Sequence, residues 1–305
     1  MKPIVFIHTN DKQMTGAKVS EYSLKTRSAH PDKFDVQIIH LEETPHLYKR
    51  EGQEYLRKGK KAIWHNDDLQ SFSPLRRMVP QVMEFEGRAL VIDPDVFAVG
   101  DVYDLLSRDM KGKSIICKHE KGGYRGNGEE FYASSVMLLD CKKLKHWKWN
   151  EQIDELFAMK LDYGPWISLL TELEGSIGKL EEEWNHFDQL NDKTMLIHNT
   201  ERSTQPWKTG LPVDYDSTWR KKKIAQRKEA HNSGLFSKLI HCWLNYDSEA
   251  DYYLPHPDPN QERFFMGLLK EAMAAGVVAE AFVHDEIKKK HVRADILKVV
   301  NKLAA

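Results

Sequence analysis

Six short apolar runs, each separated from the next by polar or helix-like sequence, constrain the fold of this chain more than any other feature. Continuous apolar runs of this length are typical of strands buried on both faces, and such strands belong to parallel sheets that helices cover. The sequence therefore predicts an α/β fold. The predicted strands are Pro3–His8, Val36–Leu41, Ala89–Ile92, Ser114–Cys117, Ser135–Leu139 and Met195–His198.

The chain divides in character near residue 209. Before that point strand-like and helix-like segments alternate, and after it the sequence is basic, aromatic and helical. At 305 residues the chain is long enough for one large domain or two modest ones. We predict a main domain at 1–208 and a helical C-terminal appendage at 209–305. Helices predicted within the main domain are Gly16–Lys25, Pro74–Phe85, Trp147–Leu161 and Pro165–Leu173.

One helix start in the appendage is well marked. Asp258 is a suitable N-cap, Pro259 fits the first helical position, and Gln261 is placed to close a capping box. Gly276 is expected to end this helix. Two further helices are predicted over 279–290 and 293–303.

Charge and cysteine content exclude several classes of protein. The 45 Lys and Arg balance 46 Asp and Glu, so no overall field favours nucleic acid or an anionic membrane. Three cysteines without a C-x-x-C pair argue against a disulfide framework or a zinc knuckle. With no signal-like or membrane-spanning run, we expect a cytoplasmic protein. The basic run Arg220–Lys223 leaves peripheral membrane contact open, with a solvated helix face as the alternative.

The segment ALVIDPDVF places two carboxylates, Asp93 and Asp95, directly after an apolar run. Side chains at i and i+2 of an extended chain point the same way, and ligands bind at the carboxyl ends of strands in open α/β sheets. Paired carboxylates there suit a divalent cation shared with a diphosphate. The alternative is a strand-end turn with solvated carboxylates, and the second such triplet, at 214–216, follows no apolar run.

Four segments in order resemble retaining glycosyltransferases of the GT-A family 8, the glycogenin and lipopolysaccharide galactosyltransferase type. They are SPLRRMVPQVMEFEGRALVIDPDVFAVGDVYDLL from Ser73, FYASSVMLLDCKKLKHW at 131–147, KLEEEWN at 179–185 and MLIHNTERSTQPWK at 195–208. The resemblance covers residues 1 to about 210. It implies a single Rossmann-like, mostly parallel mixed sheet flanked by helices, and an Asp that opens the helix after the paired carboxylates, here Asp101 or Asp104.

The resemblance also implies a set of site residues. A metal ion, Mn²⁺ or Mg²⁺, would be held by Asp93, Asp95 and His198. Nucleotide contacts fall on Thr9, Asn10, Asp11, Asp93 and Arg77, with Arg76 as the alternative for the last, and we add Lys208 as a hypothesis of our own. Sugar contacts fall on Arg77, Ser134, Ser135 and Asp162, and Asp162 is also the carboxylate expected nearest the chemistry.

Three departures from the family pattern affect what the resemblance implies. Ala133 stands where the family has Asn, Tyr163 where it has Gln, and Gln205 where it has a Lys that contacts the diphosphate. Lys208 or Arg202 is our candidate for the missing charge. The glycine-rich loop at 121–130 matches no phosphate-binding motif, and is expected to cover the acceptor site or to serve as a plain connection.

The implied activity is metal-dependent, retaining transfer of a sugar from a nucleotide-diphosphate sugar, most plausibly a UDP-sugar, to a hydroxyl acceptor. The acceptor is a glycan, a lipid-linked oligosaccharide or a protein. The alternative is a catalytically silent module of the same fold that binds a glycan or protein partner. A sugar-1-phosphate nucleotidyltransferase is disfavoured, because that class has a glycine-rich loop after the first strand and Gly16 is the only glycine in the first 50 residues.

Overall fold

The computed structural model describes residues 1–121, 131–215 and 252–303. Most of the glycine-rich loop, the basic run Arg220–Lys223 and Asp216 lie outside the described residues. Contacts divide the chain into two compact units, Met1–Thr200 and Glu201–Ala305. The division of roles between a catalytic domain and an appendage stays a prediction.

All strands of the described residues belong to the first unit. Within the described residues they are β1 Ile4–Thr9, β2 Asp35–His40, β3 Glu54–Arg57, β4 Lys60–Ile63, β5 Arg88–Ile92, β6 Val96–Ala98, β7 Ile115–Glu120, β8 Phe131–Asp140, β9 Ile177–Lys179, β10 His186–Phe187 and β11 Leu196–His198. All six predicted strands are confirmed, with bounds shifted by a few residues.

Six strands form the main sheet, in the order β2-β1-β5-β8-β7-β9. β1 pairs with β2 and β5 in parallel, β7 pairs with β9 in parallel, and only β8 runs antiparallel to its neighbours. The predicted α/β class with a mostly parallel mixed sheet is confirmed. Two smaller sheets accompany it, β10-β11-β6 and the hairpin β3-β4.

Helices cover both faces of the main sheet. In the first unit they are α1 Met14–Thr26, α2 Pro45–Tyr48, α3 Val79–Val82, α4 Val102–Ser107, α5 Trp149–Phe157 and α6 Tyr163–Ile167. The predicted helix Pro74–Phe85 was wrong in type: the chain forms a 3-10 helix, Ser73–Met78, followed by the single turn α3. Pro80 has no N–H for an α-helical bond and disfavours helical geometry in the residue before it, so a continuous α-helix is broken there.

The alternation of side chains along β1 separates two core layers. Val5 and Ile7 pack on one face with α1 and α4, and Phe6 packs on the other face with the tryptophans of the α5 and α6 region. The second layer also contains a buried ion pair between Arg77 and Glu172, with Nη2 and Oε1 2.7 Å apart. This pair lies inside the core rather than at its edge.

The second unit is helical over its described residues, with α7 Pro259–Ala274, α8 Glu280–Lys288 and α9 Ile296–Lys302. Asp258 caps α7 by accepting from the N–H of Asn260 at 2.9 Å, Pro259 is the first residue, and Gly276 follows the helix at φ +74°, all as predicted. The capping box was wrong, because the N–H of Asp258 donates to Nδ1 of His256. Among the described residues, no helix has the length and apolar character needed to cross a bilayer.

Candidate metal centre

The structure brings together the three side chains that the resemblance implied as metal ligands. Asp93 follows β5 directly, Asp95 lies two residues on, and His198 ends β11. β11 pairs antiparallel with β6, so His198 lies opposite Val96 and the N–H of Asn199 donates to the carbonyl of Asp95 at 3.0 Å. The ligating atoms of the three side chains all lie within 4.8 Å of one another.

Asp93 is held by an arginine from the 3-10 helix. The Nε and Nη2 atoms of Arg76 donate to the two carboxylate oxygens of Asp93 at 2.8 and 2.5 Å, and Nη1 donates to Oγ of Ser134 at 2.8 Å. Both charged side chains are nearly buried. Burial raises the pKa of Asp93 and the Arg76 guanidinium opposes that shift. The bidentate pair therefore fixes the orientation of Asp93 in a poorly solvated place.

Asn185 controls which nitrogen of His198 faces the carboxylates. Nδ1–H of His198 donates to Oδ1 of Asn185 at 2.8 Å, and Nδ2 of Asn185 donates to Oγ of Ser135 at 3.1 Å. With this amide orientation the neutral ring carries its lone pair on Nε2, which lies 3.2 Å from Oδ1 of Asp95. A lone pair facing a carboxylate requires a proton or a cation between them. Burial alone would lower the pKa of His198, but Asp95 and Asp93 outweigh burial and raise it.

A second group of side chains, Asp11, His40 and Glu42, also has its possible ligand atoms within 4.8 Å of one another, but its histidine carries its proton on a different nitrogen. Nε2 of His40 lies 3.3 Å from Oδ1 of Asp11, but Nδ1 of this ring accepts the backbone N–H of Glu42. The neutral ring therefore carries its proton on Nε2, the atom that faces Asp11, although the two make no hydrogen bond. This group turns an N–H toward its carboxylate, whereas the neutral ring of His198 turns a lone pair toward Asp95.

Two carboxylates and one imidazole nitrogen are a donor set that suits Mn²⁺ or Mg²⁺ shared with phosphate oxygens. The ring orientation fixed by Asn185 is the arrangement that metal-binding histidines generally show. The residues present therefore fit a divalent cation. His198 lies beside the two carboxylates, as the resemblance implied, and its role as a ligand stays a prediction. Asn185, which ends the quoted segment KLEEEWN, was not assigned a role.

Arg77 lies elsewhere than the resemblance implied. Its guanidinium carbon is 4.0 Å from the Trp147 ring centroid and 5.4 Å from that of Trp166, and its charge is paired with Glu172. In a 3-10 helix neighbouring residues point about 120° apart, so only one of the two arginines can face Asp93. That residue is Arg76, which the sequence analysis kept as the alternative.

The hydroxyls of Ser134 and Ser135 are used inside the centre. Ser134 accepts from Arg76, Ser135 accepts from Asn185, and the carbonyl of Ser135 accepts the N–H of Asp93 at 3.0 Å. These contacts support the ligand side chains. Direct contact of either serine with a sugar stays a prediction.

Asp162 is an anchor for the β3-β4 hairpin. Oδ1 accepts from the N–H groups of Lys58 and Gly164, both at 2.8 Å, and Oδ2 accepts from the N–H of Gly59 at 2.7 Å. Burial would raise the pKa of Asp162, but these three N–H groups together lower it. Both carboxylate oxygens are thus committed to the backbone, which argues against the predicted catalytic role.

The segment after β1 carries the predicted nucleotide contacts. Oγ1 of Thr9 donates to the carbonyl of Asn10, and Nδ2 of Asn10 donates to the carbonyl of Asp68 and to Oγ of Ser71, both at 2.9 Å. Oδ1 of Asn10 is buried and has no hydrogen-bond donor among the described residues. Asp11 begins the next turn with its side chain largely exposed.

His8, which the sequence analysis did not single out, is fully buried near the end of β1. Neither ring nitrogen has a hydrogen-bond partner within the described part of the chain, and burial lowers its pKa to about 3. The guanidinium of Arg76 contributes to that shift. Nothing in an apolar run such as PIVFIH marks its histidine as functional.

Two further predicted residues, Lys208 and Asp101, lie outside the metal centre. Lys208 belongs to the second unit, where its Nζ lies 3.2 Å from Oδ2 of Asp214 and the hydroxyl of Tyr253 donates to the same carboxylate. Its predicted contact with a diphosphate stays a prediction. Asp101 opens α4 as implied, and it accepts from the N–H of Tyr103 and from Oγ of Ser28.

No protein-family model matches the chain, and no curated protein matches it. Solved structures that are similar include the galactosyltransferase LgtC with donor and acceptor sugar analogues, at 14% identity, 67% of this chain, 89% of that chain and a TM-score of 0.44. The glycosyltransferase GlyE of Streptococcus pneumoniae is 14% identical, covers 84% of this chain and 65% of its own, and has a TM-score of 0.47. Mouse xyloside xylosyltransferase 1 is 14% identical, covers 65% of this chain and 97% of its own, and has a TM-score of 0.42. All three are glycosyltransferases, the class that the sequence resembles.

Proposed function

We propose that this chain is a metal-dependent glycosyltransferase that moves a sugar from a nucleotide-diphosphate sugar to a hydroxyl acceptor. The observation that carries the proposal is the convergence of Asp93, Asp95 and His198 within 4.8 Å, with acceptor atoms facing one another. In an α/β sheet this place, at the carboxyl ends of β1 and β5, is where ligands bind.

A divalent cation bound there supplies positive charge to the leaving nucleoside diphosphate. The chain's own residues orient the ligands: Arg76 holds both oxygens of Asp93, and Asn185 sets the ring of His198. The guanidinium of Arg76 also adds a fixed positive charge beside the place where negative charge develops. We assign it the contact with the donor that the sequence analysis gave to Arg77.

The nucleotide end of the proposed site lies after β1. Oδ1 of Asn10 is a buried acceptor that lacks a donor within the described residues, and a uracil N–H or a ribose hydroxyl is a suitable partner. The exposed carboxylate of Asp11 is suited to a ribose hydroxyl as well. These two acceptors support a nucleotide in this place, and the choice of UDP among nucleotides follows the resemblance.

Retention of configuration is part of the proposal. The carboxylate expected nearest the chemistry, Asp162, is committed to three backbone N–H groups. We therefore assign no covalent nucleophile among the described residues, and propose that the acceptor hydroxyl attacks from the face that the diphosphate leaves.

Calorimetric titration of UDP, GDP, ADP and CMP, with Mn²⁺ or with EDTA, tests the donor site. We expect UDP to bind only with Mn²⁺, and an Asp93→Asn/Asp95→Asn variant to lose that binding. An Asp109→Asn/Asp192→Asn variant, which removes the same charge at two exposed surface positions, is the matched control. Equal UDP binding with and without metal would contradict the proposal.

The second candidate is a catalytically silent module, and one observation favours it. The guanidinium of Arg76 already engages both oxygens of Asp93, so a cation of the chain itself can neutralise that carboxylate. In that case neither Mn²⁺ nor any of the four nucleotides binds in the same titration. Binding of a glycan or protein partner would then be the remaining activity.

A further inference from the structure

The turn of the β3-β4 hairpin is strongly basic. In EYLRKGKKAI, Arg57, Lys58, Lys60 and Lys61 surround Gly59, and all five residues are exposed. The hairpin is a separate two-stranded sheet and adds no strand to the main sheet. A two-stranded hairpin is marginal by itself, so other contacts must hold it.

Those contacts make the hairpin a fixed feature of the surface. Lys58 and Gly59 both have positive φ, +52° and +71°, as a tight two-residue turn requires, and their N–H groups donate to Asp162. At the base, the Tyr55 ring packs edge-on against Trp64 and Tyr163, with ring centroids 5.9 and 5.7 Å apart. The turn is therefore held in place at both ends.

One tyrosine connects the hairpin to the metal centre. The guanidinium carbon of Arg57 lies 5.1 Å from the Tyr163 ring centroid. Burial raises the pKa of Tyr163, and the positive charges of Arg57 and Arg76 both oppose that shift. The hydroxyl of Tyr163 is therefore close enough to interact electrostatically with both the exposed arginine of the hairpin and the arginine that holds Asp93.

The positive charge of the turn is partly compensated, because the carboxylate of Asp162 binds the turn backbone. Lys61 pairs with Glu54 at 2.7 Å, but within the described part of the chain neither Arg57 nor Lys60 has a carboxylate oxygen within 4.0 Å. The guanidinium of Arg57 lies over the Tyr163 ring and its Nη1 donates to the hydroxyl of Tyr55 at 3.5 Å, while the exposed side chain leaves other N–H groups able to meet a carboxylate or phosphate. Repulsion among clustered cations is relieved when an anion binds.

We propose that this turn is a subsite for an acceptor glycan that carries carboxylate or phosphate groups. The assignment of the glycan as acceptor rests on the proposed transferase function. Arg57 makes the directed contact beside Tyr163, Lys60 adds charge at the tip, and Asp162 preorganises the turn. Uncharged glycans gain nothing from this subsite, so the acceptor class is an acidic one.

The test is equilibrium binding of labelled glycans to the full chain at low and moderate salt. The probes are an oligogalacturonate, a phosphorylated maltohexaose and unmodified maltohexaose. The hairpin variant is Arg57→Gln/Lys60→Gln, and the control Lys142→Gln/Lys145→Gln removes the same charge from another exposed basic stretch of the first unit. Thermal unfolding of each variant confirms that it folds.

We expect at least one acidic probe to bind the wild-type chain and the control with salt-sensitive affinity, and the hairpin variant to lose about tenfold or more. Failure of both acidic probes to bind, equal losses in hairpin variant and control, or equal binding of unmodified maltohexaose would overturn the proposal. UDP titration separates the two proposals: hairpin-dependent glycan binding without UDP binding rejects the transferase and leaves an acidic-glycan site.

Discussion

At the scale of single residues, the metal centre depends on how hydrogen bonds orient its ligands. Asn185 lies 13 positions before His198 in sequence and is not itself a proposed metal ligand, yet its hydrogen bond determines which ring nitrogen of His198 faces the carboxylates. Arg76 likewise orients the carboxylate of Asp93 by hydrogen bonding. Both residues act through a ligand, so their effects on metal binding are separable from direct contact with a substrate.

Asn185→Ala is expected to weaken Mn²⁺ affinity by about 10–100-fold, because the ring of His198 loses the acceptor that fixes its tautomer. Asn185→Asp, which can only accept, is expected to retain affinity near the wild-type level. Free Mn²⁺ measured by electron paramagnetic resonance gives the affinity directly, with the exposed Asn150→Ala as control. An Asn185→Asp variant as weak as Asn185→Ala would show that the amide faces the ring with its nitrogen.

Arg76→Ala is expected to destabilise the metal-free chain by about 3–5 kcal/mol, because Asp93 stays buried without its partner. A bound divalent cation replaces part of the missing positive charge. Mn²⁺ should therefore increase the free energy of unfolding more in the variant than in the wild type. Urea unfolding with EDTA and with Mn²⁺ measures both values, and an equal metal effect in the two proteins would argue against a shared site.

At the scale of elements, the buried strands could be predicted and the solvent-facing ones could not. The β5 run ALVI is apolar on both sides because both faces are covered, and it was recognised from that property. β3 and β4, EYLR and KKAI, are mostly exposed and polar, and their stability comes from the distant Asp162 and from aromatic packing. Contacts between residues so far apart in sequence leave no local pattern from which these two strands could be predicted.

The choice between Arg76 and Arg77 shows a related limit. The sequence placed an arginine-bearing helix before β5 correctly, but the direction of each side chain depends on helix type. A shift from 3.6 to 3.0 residues per turn rotates each successive side chain by about 20°, and over the four steps from Ser73 to Arg77 these rotations add to about 80°, which changes the direction of both arginines. The direction of Asp93 and Asp95 could be predicted without knowing the helix type, since side chains at i and i+2 of an extended segment point the same way.

The hairpin anchor predicts a pH-dependent stability. Because the N–H groups of Gly59, Gly164 and Lys58 lower the folded-state pKa of Asp162 below its unfolded value, the ionised carboxylate stabilises the fold at neutral pH. That contribution is lost as pH falls from about 4 through the folded-state value. Asp162→Asn should cost about 2 kcal/mol at pH 7 and less at pH 3.

Urea unfolding of wild type and Asp162→Asn at the two pH values measures that difference. The exposed Asp192→Asn serves as control and should change stability by less than about 0.5 kcal/mol at either pH. A cost for Asp162→Asn that stays constant with pH would mean that the ionised carboxylate is not the source of the stabilisation.

At the scale of the whole first unit, the core layer behind the site is itself partly ionic. Glu172 accepts from Arg77, from Nε1 of Trp147 at 2.9 Å and from His146 at 2.8 Å, so its buried charge is fully surrounded by donors. Burial raises the pKa of Glu172, but these donors, Arg77 first among them, outweigh it and lower the value. The 3-10 helix that carries Arg76 is thereby tied, through Arg77, to the segment that follows α6.

Removing one partner of that pair should destabilise the unit far more than removing both. Glu172→Met leaves the Arg77 guanidinium buried and unpaired, at an expected cost of about 3–5 kcal/mol, whereas Arg77→Met/Glu172→Met replaces the pair with apolar volume at a smaller cost. Urea unfolding of Arg77→Met, Glu172→Met and the double variant gives the coupling energy. Additive costs would show that the two charges do not depend on each other in the folded state.

Ligand binding should in turn be visible in the stability of the first unit as a whole. A ligand that binds only the folded state adds about 2.7 kcal/mol at 100 times its dissociation constant. For a unit of 200 residues this corresponds to a rise of roughly 5–10 °C in the unfolding midpoint. We expect that rise with UDP and Mn²⁺ together, almost none with UDP and EDTA, and none in Asp93→Asn/Asp95→Asn. If UDP stabilised the double variant as much as the wild type, the nucleotide would bind away from the carboxylates, and the metal centre would have no part in holding the donor.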